Sequence, residues 1–295
     1  MDSLKDKRCF VTGAASGIGR AVALGLAKEG AILFLTDVDG PGLERTAREV
    51  EAAGGRVAAR RPLDVSDFDA VRTFASDLHR EFGSMDVVMN VAGISIWGPV
   101  ESMEHRHWRR IMDVNLMGPI HVIESFVPEM IRARRGGHLV NVSSAAGLFG
   151  LPWHAAYSGS KFGLRGISEV LRFDLERHGI GVSLVCPGGV DTGLVNTIQI
   201  LGTDVPPERM NALKQEFRDR AVSPETAARA IIRGVLRNRY LVFTSRDTRI
   251  GHFFQQKLSF VYELTMRKLN DRLHRTLVPA ARTDDAGRLA ETGAT

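Results

Sequence analysis

The sequence predicts an α/β protein: a doubly wound parallel sheet of about seven strands with helices on both faces, followed by a C-terminal helical extension. Three observations lead there. From Arg8 to Phe243, short apolar runs alternate with longer amphipathic segments, and such alternation builds a parallel sheet sandwiched between helices. Several of the runs are apolar throughout, as strands are when both faces are covered. Each pair of runs is separated by a segment long enough for a helical crossover, which returns the chain parallel to itself.

Strands are expected over residues 8–11, 32–36, 57–62, 87–91, 139–142, 182–186 and 240–243, all rich in branched residues and bounded by Gly, Pro, Asn or Asp. Helical spacing covers residues 17–29, 42–53, 67–82, 105–134, 155–178 and 224–238. Ser66-Asp67 and Ser223-Pro224 supply helix starts, a capping residue followed by an acid or a proline. There is no internal repeat at a solenoid period and no internal linker. Residues 1–245 therefore read as one domain, residues 246–282 as the helical extension and residues 283–295 as a disordered tail.

The 295 residues are 44% hydrophobic and 25% charged, an ordinary globular balance. A chain of that length buries a core that requires neither disulfide nor structural metal. Cys9 and Cys186 are the only cysteines, each in a strand-like run, and no CxxC metal site exists. A reducing, cytoplasmic setting follows. Residues 1–8 lack the apolar centre of a signal peptide, and no run of 18 apolar residues is present to span a bilayer. The net charge of +5 comes from 39 basic and 34 acidic residues. Their interspersion along most of the chain argues against a nucleic-acid partner.

The first strand runs into Thr12-Gly13-Ala14-Ala15-Ser16-Gly17-Ile18-Gly19, and a helix follows. Glycines at such a turn let main-chain N–H groups approach a pyrophosphate, and the helix N-terminus adds partial positive charge there. Asp37, at the end of the second strand, lies 18 residues past Gly19. A carboxylate at that point accepts from both adenosine ribose hydroxyls and repels the 2′-phosphate of NADP. Val38 and Ser16 stand where a basic residue would attract that phosphate, which favours NAD over NADP. Arg20, just after the loop, is the counter-observation. Asp64-Val65 and Asn90-Val91-Ala92-Gly93 follow the third and fourth strands, where a dinucleotide would lie.

Tyr157 and Lys161 are four residues apart on one helical face, and Ser144 lies at a strand end 13 residues before Tyr157. A free tyrosine, with a pKa near 10, is a poor base at neutral pH. A neighbouring ammonium stabilises phenolate and brings the phenol toward the working range of an acid/base catalyst. Ser144 is placed to donate to a carbonyl oxygen gaining charge, and Lys161 to bond to the nicotinamide ribose.

With these residues, the chain resembles the compact branch of the short-chain dehydrogenase/reductase family from about Lys5 to Phe243. The matches occur in order: the TGxxxGIG loop, Asp64-Val65, the NxAG turn, Asn115, Ser144 with YxxxK, and Pro187-Gly188-Gly189-Val190-Asp191-Thr192. The resemblance implies a Rossmann-type fold and a dinucleotide-binding, catalytic domain over residues 1–245. It implies a tetrad in which Tyr157 is the acid/base, assisted by Ser144 and Lys161, with Asn115 holding a water that relays protons to Lys161. It also implies cofactor contacts from Ile18, Asn90 and Val190, with Thr192 at the carboxamide or a phosphate, and assembly as a homodimer or homotetramer through the helices at 105–134 and 155–178. Val91 and Gly159 depart from the residues usual in the family.

The loops holding Ile94, Ile96, Trp97, Leu151, Trp153 and His154 are expected above the nicotinamide, with residues 194–221 as a mobile lid. Their apolar, aromatic character points to a small lipophilic secondary alcohol or ketone. No metal site is expected; His105, His107, His121 and His138 lack ligand-like partners. The extension carries Lys257, Arg267, Lys268, Arg272 and Arg275 around an apolar stripe. Packing on a subunit, lying on an anionic membrane surface and gating the pocket all remain open for it. Two other functions compete: an NADP-dependent 3-oxoacyl thioester reductase and a non-catalytic dinucleotide-sensing scaffold.

Overall fold

The computed structural model describes residues 1–192, 199–203 and 205–277. Seven parallel strands form the main sheet: β1 (Arg8–Thr12), β2 (Ile32–Asp37), β3 (Arg56–Pro62), β4 (Val87–Asn90), β6 (Gly137–Val142), β7 (Ile180–Cys186) and β9 (Leu241–Phe243). Their order is β3-β2-β1-β4-β6-β7-β9. The chain winds outward from β1 to β3, then returns to β4 and winds the other way. That reversal leaves a crevice beyond the carboxyl ends of β1 and β4, the place where doubly wound sheets bind ligands.

The unbroken apolar runs are explained by two cores. On one face Val11, Leu33 and Val140 pack with Val22, Leu26, Ile231 and Val235 from α1 (Gly17–Lys28) and α8 (Pro224–Leu236). On the other, Phe10, Phe34, Val88 and Leu139 meet Phe74, Leu78, Phe126 and Met130 from α3 (Phe68–Phe82) and α5 (Gly118–Ala133). Phe10 stacks on Phe126 with ring centroids 4.3 Å apart. The remaining crossover helix before β4, α2 (Gly40–Ala52), covers the β2–β3 edge. Ser223 caps α8 as anticipated, accepting from the Thr226 N–H, whereas α3 is capped by Asp67 rather than Ser66, its carboxylate accepting from the Ala70 N–H.

Two of the expected helices differ in detail. The helix read over 105–134 is α4 (His105–Met112), a π-helical turn over Asp113–Met117, and α5. Its 155–178 counterpart is α6 (Ala155–Asp174) with a terminal 3-10 turn over Glu176–His178. Residues 194–198 and 204 of the expected lid lie outside the described residues; the rest contains β8 (Gln199–Ile200), paired parallel with β5 (Ile96–Trp97), and helix α7 (Pro207–Arg220). The extension is two helices, α9 (Arg246–Lys257) and α10 (Ser259–Leu277), and the expected tail at 283–295 lies outside the described residues. No helix among the described residues is long and apolar enough to cross a membrane.

Candidate active site

The crevice is shaped first by the glycine turn. A Cβ on Gly19 would collide with the Gly13 carbonyl oxygen, so only glycine lets the turn fold back on itself. Ser16 caps α1 without a side-chain hydrogen bond, leaving the first-turn N–H groups directed at the crevice, as an anion site requires. Thr12 lies behind this surface: its Oγ1 accepts from the Val91 and Ala92 N–H groups at 3.0 and 3.1 Å, tying the β1 turn to the β4 turn. Asp37 accepts from Ala15 and Asp39 N–H groups, both at 2.9 Å. A carboxylate has lone pairs beyond these two. Gly13, Ser16, Gly17, Ile18, Asp37, Asp64 and Val65 line a cavity of about 420 Å³, within the ordinary range for a small-molecule site. These residues fit a dinucleotide: uncapped helix donors for the phosphates, and an acid at the far strand end for a ribose.

Asp64 is held by two interactions that the sequence did not reveal, a hydrogen bond from Ser66 and an ion pair with Arg110 at 3.2 Å. Burial pushes its carboxyl up, but the Ser66 hydrogen bonds and the Arg110 guanidinium outweigh that and hold it below the usual carboxylate range. Asn90, expected at the cofactor, is buried; its amide donates to Asn141 Oδ1, and Asn141 donates to Ser168. It lines neither this cavity nor the next, so its visible role is to lock β4 to β6 and α6.

A second cavity of about 350 Å³ adjoins the first, with Ile18, Val91, Gly93, Ile94 and Thr192 lining both. Ser144, Tyr157, Lys161, Pro187, Gly188 and Val190 line its inner end. One turn of α6 brings Lys161 Nζ to 5.8 Å from the Tyr157 ring centroid. The ammonium is buried, 4% exposed, and donates to the Val142 carbonyl at 3.0 Å. Desolvation pulls its pKa down to about 8. Burial likewise pushes the Tyr157 phenol up, against a hydrogen bond from Ser144 that favours the phenolate. The lowering expected from Lys161 does not appear in the protein by itself: the phenol is shifted by burial and by Ser144, and burial sets the direction.

Asn115 sits in the π-helical turn, fully buried. Its Oδ1 accepts from the Ile94 N–H at 2.8 Å and its Nδ2 donates to the Ile94 carbonyl at 2.9 Å. A Cβ on Gly93 would stand 3.2 Å from Asn115 Oδ1 and 3.5 Å from Lys161 Nζ. Glycine therefore keeps open the space between these two polar groups. Single π turns inside α-helices recur at functional sites, and this one re-aims Asn115.

Of the expected substrate residues, Ile94, Trp97, Leu151 and His154 line the second cavity. Ile96 does not: it packs into the core with Ile111 and Ala156, on the opposite side of the two-residue strand from its neighbour. Trp153 lines a further chamber on the other side of His154. His154 donates from Nδ1 to the Pro152 carbonyl at 2.6 Å, and burial lowers its pKa to about 4, so the ring is neutral with Nε2 as an acceptor. Phe217 of α7 also lines the cavity; the weak apolar patterning of that segment concealed it. Three of the other histidines have structural partners: His107 accepts from the Glu104 N–H, His121 contacts the Val65 carbonyl and His138 the Ser183 hydroxyl. Cys9 and Cys186 are free and buried, and burial drives both thiols well above their ordinary range.

Comparison with known proteins agrees with this geometry. A family model described as short chain dehydrogenase matches residues 7–200. The oxidoreductase SadH of Mycobacterium tuberculosis is 37% identical over 254 residues, covering 84% of this chain and 90% of its own length. The 3-oxoacyl-(acyl-carrier-protein) reductase FabG of Thermotoga maritima is 34% identical, over 78% of this chain and 90% of that one. Among solved structures, a short-chain dehydrogenase/reductase of Burkholderia phymatum in complex with NAD superposes with a TM-score of 0.76 at 29% identity, covering 87% of this chain and 96% of that one. A metagenomic short-chain oxidoreductase in complex with NADP gives 0.66 at 31% identity, with 81% and 96% covered. Sequence, strand order and crevice agree, and the chain belongs to the short-chain dehydrogenase/reductase family of NAD(P)-binding oxidoreductases.

Proposed function

We propose that the protein oxidises a lipophilic secondary alcohol, or reduces the matching ketone, with NAD(H) and with Tyr157 as acid/base. The observation that carries this reading is the position of Tyr157, beside Ser144 and Lys161, in the cavity that adjoins the dinucleotide-shaped crevice. NAD, when bound, supplies the hydride acceptor for oxidation. Tyr157 takes the carbinol proton as the carbonyl forms and returns it on reduction. Ser144 holds the substrate oxygen by hydrogen bonding. The Lys161 ammonium favours the phenolate once the proton has to leave, and the space guarded by Gly93 lets a water connect Lys161 to Asn115.

The preference for NAD is supported by Asp37 beside an exposed Val38 and by the fate of Arg20, which is ion-paired with Glu49 of α2 rather than free for a 2′-phosphate. Gly13, Ser16, Gly17, Ile18, Gly19, Asp37, Asp64, Val65, Ala92, Gly93, Pro187, Gly188, Val190 and Thr192 would hold the nucleotide. The apolar lining supports a lipophilic substrate. Phe162, Val170 and Phe173 are exposed on α6, which supports pairing of subunits across that helix. Phe253, Phe254 and Phe260 of the extension are exposed among Arg249, Lys257 and Arg267, which supports contact with an anionic bilayer.

The resemblance to a 3-oxoacyl-(acyl-carrier-protein) reductase keeps that reaction as the second reading. Turnover of hydrophobic secondary alcohols and of 3-oxoacyl thioesters, with each nucleotide and followed by the absorbance of the reduced form, separates the two. Alcohol oxidation favouring NAD is expected. Thioester reduction favouring NADP, with no alcohol turnover, would reverse the assignment.

A further inference from the structure

The extension forms the wall of a third chamber. It encloses about 410 Å³ and is lined by Leu213 and Phe217 of α7, Leu269 and Leu273 of α10, and Trp153. Trp97, His154, Gly189 and Phe217 line both this chamber and the Tyr157 cavity, so the two meet at that partition. Leu213, Phe217, Leu269, Leu273 and Leu277 of this wall belong to two elements that the common sheet does not require, α7 and α10.

The wall is held in place by specific contacts. Tyr262 of α10 donates its hydroxyl to the Gly150 carbonyl at 2.9 Å. Trp153, in the left-handed region at φ 67°, meets the His274 ring edge-on at 5.3 Å. A tryptophan in that conformation is strained, and the surrounding structure must hold it there; α10 is part of what does so. Across the rim, Glu216 of α7 is bound by Arg220 at 3.0 Å and by Arg272 of α10 at 3.4 Å. These pairs are largely exposed and so individually weak. They can join α7 to α10 over the chamber without locking it shut.

We propose that this chamber is a second substrate subsite. It takes the far hydrocarbon end of an elongated alcohol or ketone whose carbinol carbon sits at Tyr157. The proposal rests on the alcohol–ketone reading above and adds that the extension measures substrate length.

A series of straight-chain 2-alkanols and their ketones tests it in two ways. In turnover, kcat/KM rises about fourfold for each methylene that enters the chamber. Leu273→Trp fills the chamber and collapses the long-to-short preference, whereas Leu273→Ala enlarges it and moves the optimum to longer chains. In binding, measured by titration calorimetry without turnover, the long 2-alkanone binds the wild-type protein more tightly than the short one, and Leu273→Trp removes the difference. Turnover with a flat length profile in all three proteins would overturn the subsite and leave the alcohol–ketone reading standing. Absence of any alcohol turnover, with length-dependent binding still sensitive to Leu273, would uphold the subsite and remove the reaction. Loss of both overturns the subsite.

Discussion

Replacing Lys161 with methionine should stabilise the nucleotide-free protein while removing its activity. The ammonium is 4% exposed, and burial takes its pKa from 10.5 to about 8. At 1.36 kcal/mol per pH unit, holding the charge at neutral pH costs about 3 kcal/mol. The hydrogen bond to the Val142 carbonyl returns about 1 kcal/mol of that. Methionine has similar volume and no charge, so the net gain at pH 7 is about 2 kcal/mol. With an unfolding entropy of about 2 cal/mol/K per residue, a chain of this length shifts its Tm by about 3 °C.

The pH dependence fixes the sign. Between pH 8 and 10.5 the unfolded chain binds the lysine proton and the folded chain does not. Wild-type stability therefore rises with pH across that window. The advantage of the variant is full below pH 8 and disappears by about pH 10.5. Scanning calorimetry of both proteins, without nucleotide, at pH 7 and near pH 10 reads this directly. A variant less stable at pH 7, or a difference that does not change with pH, would refute the argument that the lysine is desolvated in the empty site.

Asp37→Asn keeps an acceptor for the Ala15 N–H but removes the charge; KM for NAD should rise about tenfold or more and that for NADP should fall, as measured by steady-state kinetics with each nucleotide. Oxidation should speed up as pH rises and reduction should slow, because burial holds the Tyr157 phenol protonated; a profile flat through the alkaline range would count against that residue as the base. The exposed aromatic and basic residues of α9 and α10 should make the protein sediment with anionic vesicles but not neutral ones, and Phe260→Glu should weaken that; equal recovery with both vesicle types would remove the membrane contact.

The seven-stranded sheet was legible because burial on both faces leaves a signature no surface pattern can mimic, runs such as Cys9-Phe10-Val11 and Leu33-Phe34-Leu35. The gathering of the glycine turn, Asp37, and Ser144, Tyr157 and Lys161 along two adjoining cavities was legible because each group is set by spacing along one strand end or one helix. What stayed hidden depends on tertiary neighbours. β5 and β8 are two residues each and exist only because their loops meet. Ile96 looked like a pocket residue, yet a short strand sends it to one side and Trp97 to the other. Helix α7 has so few apolar residues that its sequence reads as loop, although Phe217 reaches the pocket. The π-helical turn at Asn115 falls inside an otherwise regular helical pattern. The protonation of Tyr157 depends on burial, which spacing does not report.

The most direct measurement compares Tyr157→Phe with the wild-type protein for alcohol oxidation and, on the same samples, for nucleotide affinity. Loss of the phenolic oxygen should lower kcat by about a hundredfold to ten-thousandfold while NAD binding changes little. Undiminished turnover in the variant would show that the proton leaves by another route and that the role given to Tyr157 is wrong.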